Sequence, residues 1–459
     1  MKQNLFVMAS LALAALFALS CQTADEAPRV SEPGPDIGTV AEPEFTTTDL
    51  FVTLLGKTPE ESLTKVQTAV NLFFNGTTGE STTPATDRQS ASNNGRYRNY
   101  YELPQDPSKA FIYSADSNDI RSEGMSYGMM IAVQMNMKDQ FDRLWHFAKD
   151  EMQYPSTSSV TAWRNYFRWQ LTNINVSNSS SWTWSKTDVT PAPDGEVYFA
   201  MALYLADRRW GSAGTFNYKA EADAITNAMI NNKASGNQHP IIHTTQNKIS
   251  FCPIGAAYTF SDPSYHLPSF FDAFAAWGPE ANVNRWLLVA HTSRQFLIDS
   301  AHPTTGLHPD YAAYDGTPVK DTGGTRGNGL SGTEHDTFRY DAWRLPMNLA
   351  MDWIWWGKDT RIQNQAIKYH EFFTNYKGTN NTTAALFTLD GKTGTGGGST
   401  ALVATLAAAS QVSDHADKTF WVQSLWNVQQ QSGLYRYYQQ CVYLLGMLVT
   451  TGNYQVSWE

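Results

Sequence analysis

The segment Arg121-Ser-Glu-Gly-Met-Ser-Tyr-Gly-Met-Met130 sets a carboxylate, Glu123, among small and aromatic residues at the start of an apolar helix. A carboxyl held against Met125, Tyr127 and Met129 loses hydration, which raises its pKa and keeps it protonated near neutral pH. That is the condition for a general acid that protonates a leaving oxygen. The plainer reading is a first-turn Glu complementing the helix dipole. Two further acids share the setting. Asp194, in Ala192-Pro-Asp-Gly-Glu-Val-Tyr-Phe-Ala-Met-Ala202, stands where a loop meets an apolar helix, and it can equally serve as that helix's N-cap. Asp341, in Phe338-Arg-Tyr-Asp-Ala-Trp-Arg344, is flanked by two Arg and two rings ahead of a helix carrying Leu349, Met351 and Trp353. A charge-assisted contact from Arg339 or Arg344 would hold Asp341 ionised, as a base that activates water requires.

One carboxyl that tends to keep its proton and one that tends to stay charged are the division of labour in glycosidic-bond hydrolysis. Asp262, in Asp262-Pro-Ser-Tyr-His-Leu-Pro268, competes with Asp341 for the place of the base, although Asp-Pro reads equally as a turn. His266 is a candidate substrate donor, with a satisfied structural His as the plainer reading, and His335 is weighed in the same way. Tyr127, Trp182, Trp184 and Trp343 are candidate stacking platforms for a sugar ring, with core packing as the alternative for each.

These residues must be positioned by a large helical framework. The 459 residues are 42% hydrophobic and 13% aromatic, enough for a sizeable core in one domain. Fifteen Trp and 22 Tyr exceed what that core requires, and surplus flat rings suit a sugar-binding cleft. A net charge of -10 argues against a nucleic-acid partner, which needs a basic surface, and would not repel a neutral polysaccharide. Thr58-Pro59-Glu60-Glu61 is a helix start, followed by an apolar face at Leu63, Val66, Val70, Leu72 and Phe73. Further helices are predicted over 126–136, 141–151, 195–209, 217–231, 269–277, 283–300, 342–356, 362–374, 399–409, 414–429 and 437–450. Strand-like alternation is scarce, and the expected fold is all-α, with helices paired into an (α/α) toroid as a single catalytic domain.

Residues 1–21 read as a lipoprotein signal peptide: Lys2, an apolar run from Leu5 to Leu19, and Ala18-Leu19-Ser20-Cys21, which resembles a lipobox. Cleavage there would leave Cys21 as a lipid-bearing N-terminus that anchors the chain to the bacterial cell envelope; a plain secretory signal is the alternative. Residues 22–56, rich in Pro, Glu, Thr and Ala, are expected to be a disordered tether, and 57–459 the catalytic domain. Cys252 and Cys441 are expected to be two separate buried thiols, with a single bridge between them as the alternative in an oxidising compartment. No His or Cys cluster has ligand spacing, so neither a metal nor another cofactor is expected. A monomer is the expected state.

The signature stretches resemble those of glycoside hydrolase family 8. Ala192 to Trp210 is similar to that family's Ala-Ser/Thr-Asp-Ala/Gly-Asp pattern, departing from it at Pro193 and Glu196. Those departures, with Glu123 to Met129, Asp262 to Pro268 and Phe338 to Arg344, resemble the subgroup acting on xylan and xylo-oligosaccharides, over residues 60 to 450. The resemblance implies an (α/α)6 barrel and an inverting mechanism. In it Glu123 is the general acid, Asp341 the general base, and Asp194 the acid that helps distort the sugar at subsite -1. Acid and base are then expected about 6.5–9.5 Å apart. Tyr265 is expected beside the reacting sugar, and His266, Arg344, Tyr127, Trp182, Trp184 and Trp343 are the other substrate-binding candidates. Members that release xylose from the reducing end carry a Leu-His-Pro loop that closes the cleft. The corresponding stretch here, Lys392-Thr-Gly-Thr-Gly-Gly-Gly-Ser-Thr400, is small and open, and Leu307-His308-Pro309 lies elsewhere. Endo-xylanase action is therefore expected, with the reducing-end exo-oligoxylanase as alternative. A β-1,4-glucanase or chitosanase, a polysaccharide lyase and a non-catalytic glycan-binding lipoprotein are the other readings.

Overall fold

Helix α2 (Pro59–Asn75) begins as its sequence predicts. Thr58 Oγ1 accepts the Glu61 N–H, the Glu61 carboxylate accepts the Thr58 N–H at 2.8 Å, and Pro59 fills the first turn. The computed structural model describes residues 42–43, 47–84, 95–187, 189–320, 335–374 and 384–458. All of them fall in one unit, residues 37–459; the other unit, residues 1–36, lies outside the described residues together with the signal segment and Cys21.

The segment just before α2 departs from the tether expected up to residue 56. Residues Leu50–Leu55 form a short helix, α1, capped by Asp49, with Leu50 and Phe51 buried. Phe51 meets the edge of Trp426 at 5.0 Å, so one aromatic anchor outweighs the unpatterned composition around it.

After α2 come α3 (Ser122–Gln134), α4 (Lys138–Phe147), α5 (Pro193–Trp210), α6 (Tyr218–Asn231), α7 (Pro268–Trp277) and α8 (Val283–Asp299). The series continues through α9 (Leu345–Trp356), α10 (Thr360–Thr374), α11 (Thr400–Ala409), α12 (Lys418–Asn427) and α13 (Arg436–Thr450). Helices α3, α5, α7, α9, α11 and α13 touch in that order, and α13 returns to α3, closing a ring. Helices α4, α6, α8, α10, α12 and α2 lie outside it, packed on α3, α5, α7, α9, α11 and α13 respectively, and α10 also touches α11. This is the expected (α/α)6 barrel. The sequence explains which helix goes where. Inner helix α3 buries all of its residues from Gly124 to Gln134, whereas outer helix α4 buries only a stripe of Phe141, Leu144, Trp145 and Phe147.

Short strands organise the loops at the end of the ring where the N-termini of α3 and α5 meet. The β1 (Tyr100–Leu103) and β2 (Asp106–Ile112) hairpin precedes a three-stranded sheet of β3 (Asp119–Arg121), β4 (Gln170–Asn175) and β5 (Thr183–Ser185). Two further antiparallel pairs are β6 (Phe260–Ser261) with β7 (Ala312–Ala313), and β8 (Leu386–Phe387) with β9 (Gly394–Thr395). These strands are too short to alternate recognisably in sequence. Cys252 and Cys441 are two separate buried thiols, as expected, and Cys252 Sγ donates to the Pro191 carbonyl at 3.2 Å.

Candidate active site

Strand β3 runs directly into α3, so Glu123 falls in the first turn of an inner helix. The Ser122 N–H donates to the Trp169 carbonyl at 2.9 Å, and the Trp169 N–H donates to the Thr190 carbonyl at 2.9 Å. That ladder brings the approach to α5, and with it Asp194, beside Glu123. Asp194 lies inside the first turn of α5 and does not cap it: Ala192 is the N-cap and Pro193 presets the helical φ. A Cβ on Gly195 would stand 2.7 Å from the Ser122 Cβ, and one on Gly124 would stand 2.5 Å from the Tyr437 hydroxyl. The glycine after each carboxylate therefore permits the close approach of α3, α5 and α13. On the other side, Asp341 sits in a 3-10 turn, Tyr340–Arg344, that feeds α9 and displaces the predicted helix start at residue 342.

Arg344 ties these acids together. Its Nη1 contacts Glu123 Oε2 at 3.3 Å and Asp194 Oδ2 at 3.2 Å, and donates to the Tyr127 hydroxyl at 2.7 Å. Its Nη2 lies 3.0 Å from Asp341 Oδ1 and 3.3 Å from Asp262 Oδ2. Contacts of 3.3 and 3.0 Å on two nitrogens of one planar guanidinium keep the nearest oxygens of Glu123 and Asp341 below the ~9.5 Å upper limit for an inverting pair.

A cavity of about 230 Å³ opens beside this cluster, lined by Glu123, Asp194 and Asp341 together with Trp169, Tyr265 and Tyr311. The Glu123 side chain is 16% exposed and that of Asp341 27%, whereas Asp262 is wholly enclosed. Asp262 also spends both oxygens on protein: Oδ1 accepts from the Ser264 N–H and hydroxyl at 2.7 Å each, and Oδ2 faces Arg344. It serves its own turn and is not in the cavity lining, which separates it from Asp341.

Burial pushes the Glu123 carboxyl up, opposed by Arg344 and assisted by the charge of Asp341. Tyr437 on α13 donates to Glu123 Oε1 at 3.0 Å. The Asp194 carboxyl is pushed up to about 7, by burial first, against the pull of Arg344. Glu123 is thus suited to hold a proton, and the cavity leaves room for water beside Asp341.

The remaining predicted residues divide. Tyr265 lines the cavity with its ring 5.6 Å from the Arg344 guanidinium carbon, and Tyr127 stands behind Arg344. Trp182 packs edge-on against Phe111 and Trp184 packs against Phe147, so neither reaches this cavity. Trp343 is buried, donating its indole N–H to the Ala385 carbonyl at 2.7 Å. His266 is enclosed between the Ser261 and Ser293 hydroxyls, each at 2.9 Å, and takes the structural role weighed for it. Trp169, Tyr311 and Tyr437 went unmarked in sequence because no motif of fixed spacing surrounds them.

Glu196, where the family pattern has Asp, is fully buried and pushed up to about 8 by that burial. Its Oε1 accepts the Phe167 N–H at 2.8 Å, and Oε2 has no partner among the described residues. Folding raises this carboxyl from the ordinary value of 4.5, so its proton is held more tightly in the folded chain. Its contribution to stability is therefore full below the unfolded pKa and is lost as pH rises through about 8. Glu196→Gln is expected to leave Tm unchanged at pH 4 and to raise it at pH 8 and above. Thermal melts with the same alkaline loss in both proteins would contradict this account.

A closed ring of paired helices with an acid, an ion-paired carboxylate and a polar, ring-lined cavity at the helix N-termini defines a carboxylate-dependent glycoside hydrolase. The chain belongs to glycoside hydrolase family 8, whose model, the glycosyl hydrolases family 8, matches residues 89–452. It is 36% identical over 365 residues to the reducing-end xylose-releasing exo-oligoxylanase Rex8A of Paenibacillus barcinonensis, covering 78% of this chain and 88% of that protein. The structure of Rex8A complexed with xylose superposes with a TM-score of 0.76 at 32% identity, covering 90% of this chain and 98% of the other. A family 8 xylobiose complex from Teredinibacter turnerae gives a TM-score of 0.76 at 34% identity, covering 89% and 97%.

Proposed function

We propose that this enzyme hydrolyses β-1,4-xylosidic bonds of xylan or xylo-oligosaccharides with inversion. The observation that carries the reading is the single guanidinium of Arg344 in contact with Glu123, Asp194 and Asp341, all three lining one cavity. Glu123 gives its proton to the glycosidic oxygen as the bond from the anomeric carbon breaks. Asp341 takes a proton from a water that attacks that carbon from the opposite face. Asp194, raised by burial to about 7 and held by Arg344, hydrogen-bonds the distorted sugar at subsite -1, and Tyr265 holds the water or a ring oxygen. Each turnover leaves Glu123 deprotonated and Asp341 protonated, and exchange with solvent restores both. The xylose and xylobiose complexes of the similar enzymes support a xylan-type substrate.

The favoured cutting mode is endo. Residues Lys392 to Gly398 are all exposed, and only Lys392 among them carries a long side chain. His308, in the chain's Leu307-His308-Pro309, is buried, bonded to the Tyr369 hydroxyl and the Leu297 carbonyl at 2.7 Å each, so it builds no wall. Reducing-end exo action is the second reading, favoured by the activity of the similar Rex8A protein. A timed product profile on xylohexaose and on xylan with a blocked reducing end separates the two. Mixed oligomers from both substrates are expected. Xylose released singly, with the blocked polymer untouched, establishes the exo reading.

A further inference from the structure

We propose that Asp310, with His335, is a positioning residue that fixes Asp341 within its turn. Asp310 is buried and does not line the cavity. Its Oδ1 accepts the N–H of Ala342, the residue directly after Asp341, at 3.4 Å. Its Oδ2 lies 3.2 Å from His335 Nδ1. Its own N–H donates to the Thr337 carbonyl at 3.1 Å, and the Tyr311 N–H donates to the His335 carbonyl at 3.0 Å. The His335 ring stacks on Tyr311, with centroids 4.1 Å apart and planes 18° from parallel, and Tyr311 lines the cavity. Asp310 also stands two residues before β7, whose Ala312 pairs with Ser261, the residue directly before Asp262.

One side chain therefore joins the cavity floor, the 335–337 segment and the turn that holds Asp341. The Tyr340–Arg344 turn has no side-chain cap at Arg339, which leaves the Asp310 carboxylate to take up a backbone N–H inside it. Displacing that turn by a fraction of an ångström moves the activated water off its line of attack while leaving the sugar-binding walls in place. Such a change lowers kcat and spares KM.

This inference rests on the reading of Asp341 as the base, and a double-mutant cycle on xylohexaose tests each separately. Asp310→Ala is expected to lower kcat by about 10- to 100-fold with KM within about twofold. Asp310→Asn, which keeps an acceptor for the Ala342 N–H, recovers part of the loss. In an Asp341→Asn background, Asp310→Ala is expected to cost less than about threefold more, because there is no longer a base to position. Should Asp310→Ala fail to fold, His335→Ala carries the same test with a smaller kcat loss. Losses that multiply in the double variant, or a rise in KM that accounts for the whole effect, overturn the role of Asp310. Wild-type kcat in Asp341→Asn alone overturns the base assignment beneath it.

Discussion

Glu123→Gln is expected to lower kcat on xylo-oligosaccharides by about 10²–10⁴-fold, the range for losing a positioned general acid. Gln keeps an acceptor oxygen for Arg344 and turns its amide N–H to the Tyr437 hydroxyl oxygen, but has no acidic proton to give to the leaving sugar. Two further readouts distinguish lost acid catalysis from a disturbed cavity. The alkaline limb of the kcat/KM profile, which reports deprotonation of the acid, should disappear. An aryl xyloside with a leaving group that needs no proton should lose far less rate than xylohexaose. Burial raises the Glu123 carboxyl, so the wild-type limb lies above the ordinary carboxylate range. An equal loss on both substrates, with the limb unchanged, would remove Glu123 from the role of acid.

Arg344→Leu should produce the largest change in stability. The arginine is 2% exposed and is the cation in ion-pair contact, among the described residues, with Glu123, Asp194, Asp262 and Asp341. Removing one partner from a buried charge pair costs about 3–5 kcal/mol. Here four carboxylates lose theirs at once, so a Tm fall on the order of 10 °C at pH 8 is a conservative expectation. Without the cation, the carboxyls of Glu123, Asp194 and Asp262, already raised by burial, rise further, and the folded chain binds protons more tightly than the unfolded chain. Stability of the variant is then greatest in acid and is lost with rising pH, so most of the deficit should vanish near pH 4–5. Arg344→Lys retains a charge but not the two-nitrogen fork, and is expected to fold and remain inactive. A wild-type melt for Arg344→Leu at pH 8 would show that the contacts do not carry the cluster.

Sequence and structure agree most closely where local chemistry dictates geometry. The capping box at Thr58, the apolar inner helices and the carboxylates at the starts of α3 and α5 are all local signals. Asp341 was legible as an acid beside an arginine. That one arginine gathers four acids was not, because Glu123 and Arg344 are separated by 221 positions and sequence carries no distance across a closed ring. Two of the tryptophans were hard to place for a related reason. Trp182 and Trp184 lie in a polar region that suggests a platform, and their rings pack against Phe111 and Phe147, away from the cavity that holds the acids. Trp169 and Tyr311 face the cavity through strand pairings only two or three residues long, too short for a period to declare itself.

The hydrogen bond from Tyr437 to Glu123 spans 314 positions and joins the last inner helix to the first. It can form only when α13 has docked between α11 and α3. A growing chain can therefore assemble Glu123, Asp194, Asp262 and Asp341 and still hold an acid that faces an open seam. Contacts of such sequence separation form late and slowly. Hydrolytic competence should then appear as the final event of refolding, after most helical signal has returned, and catalytic activity becomes a direct report of ring closure.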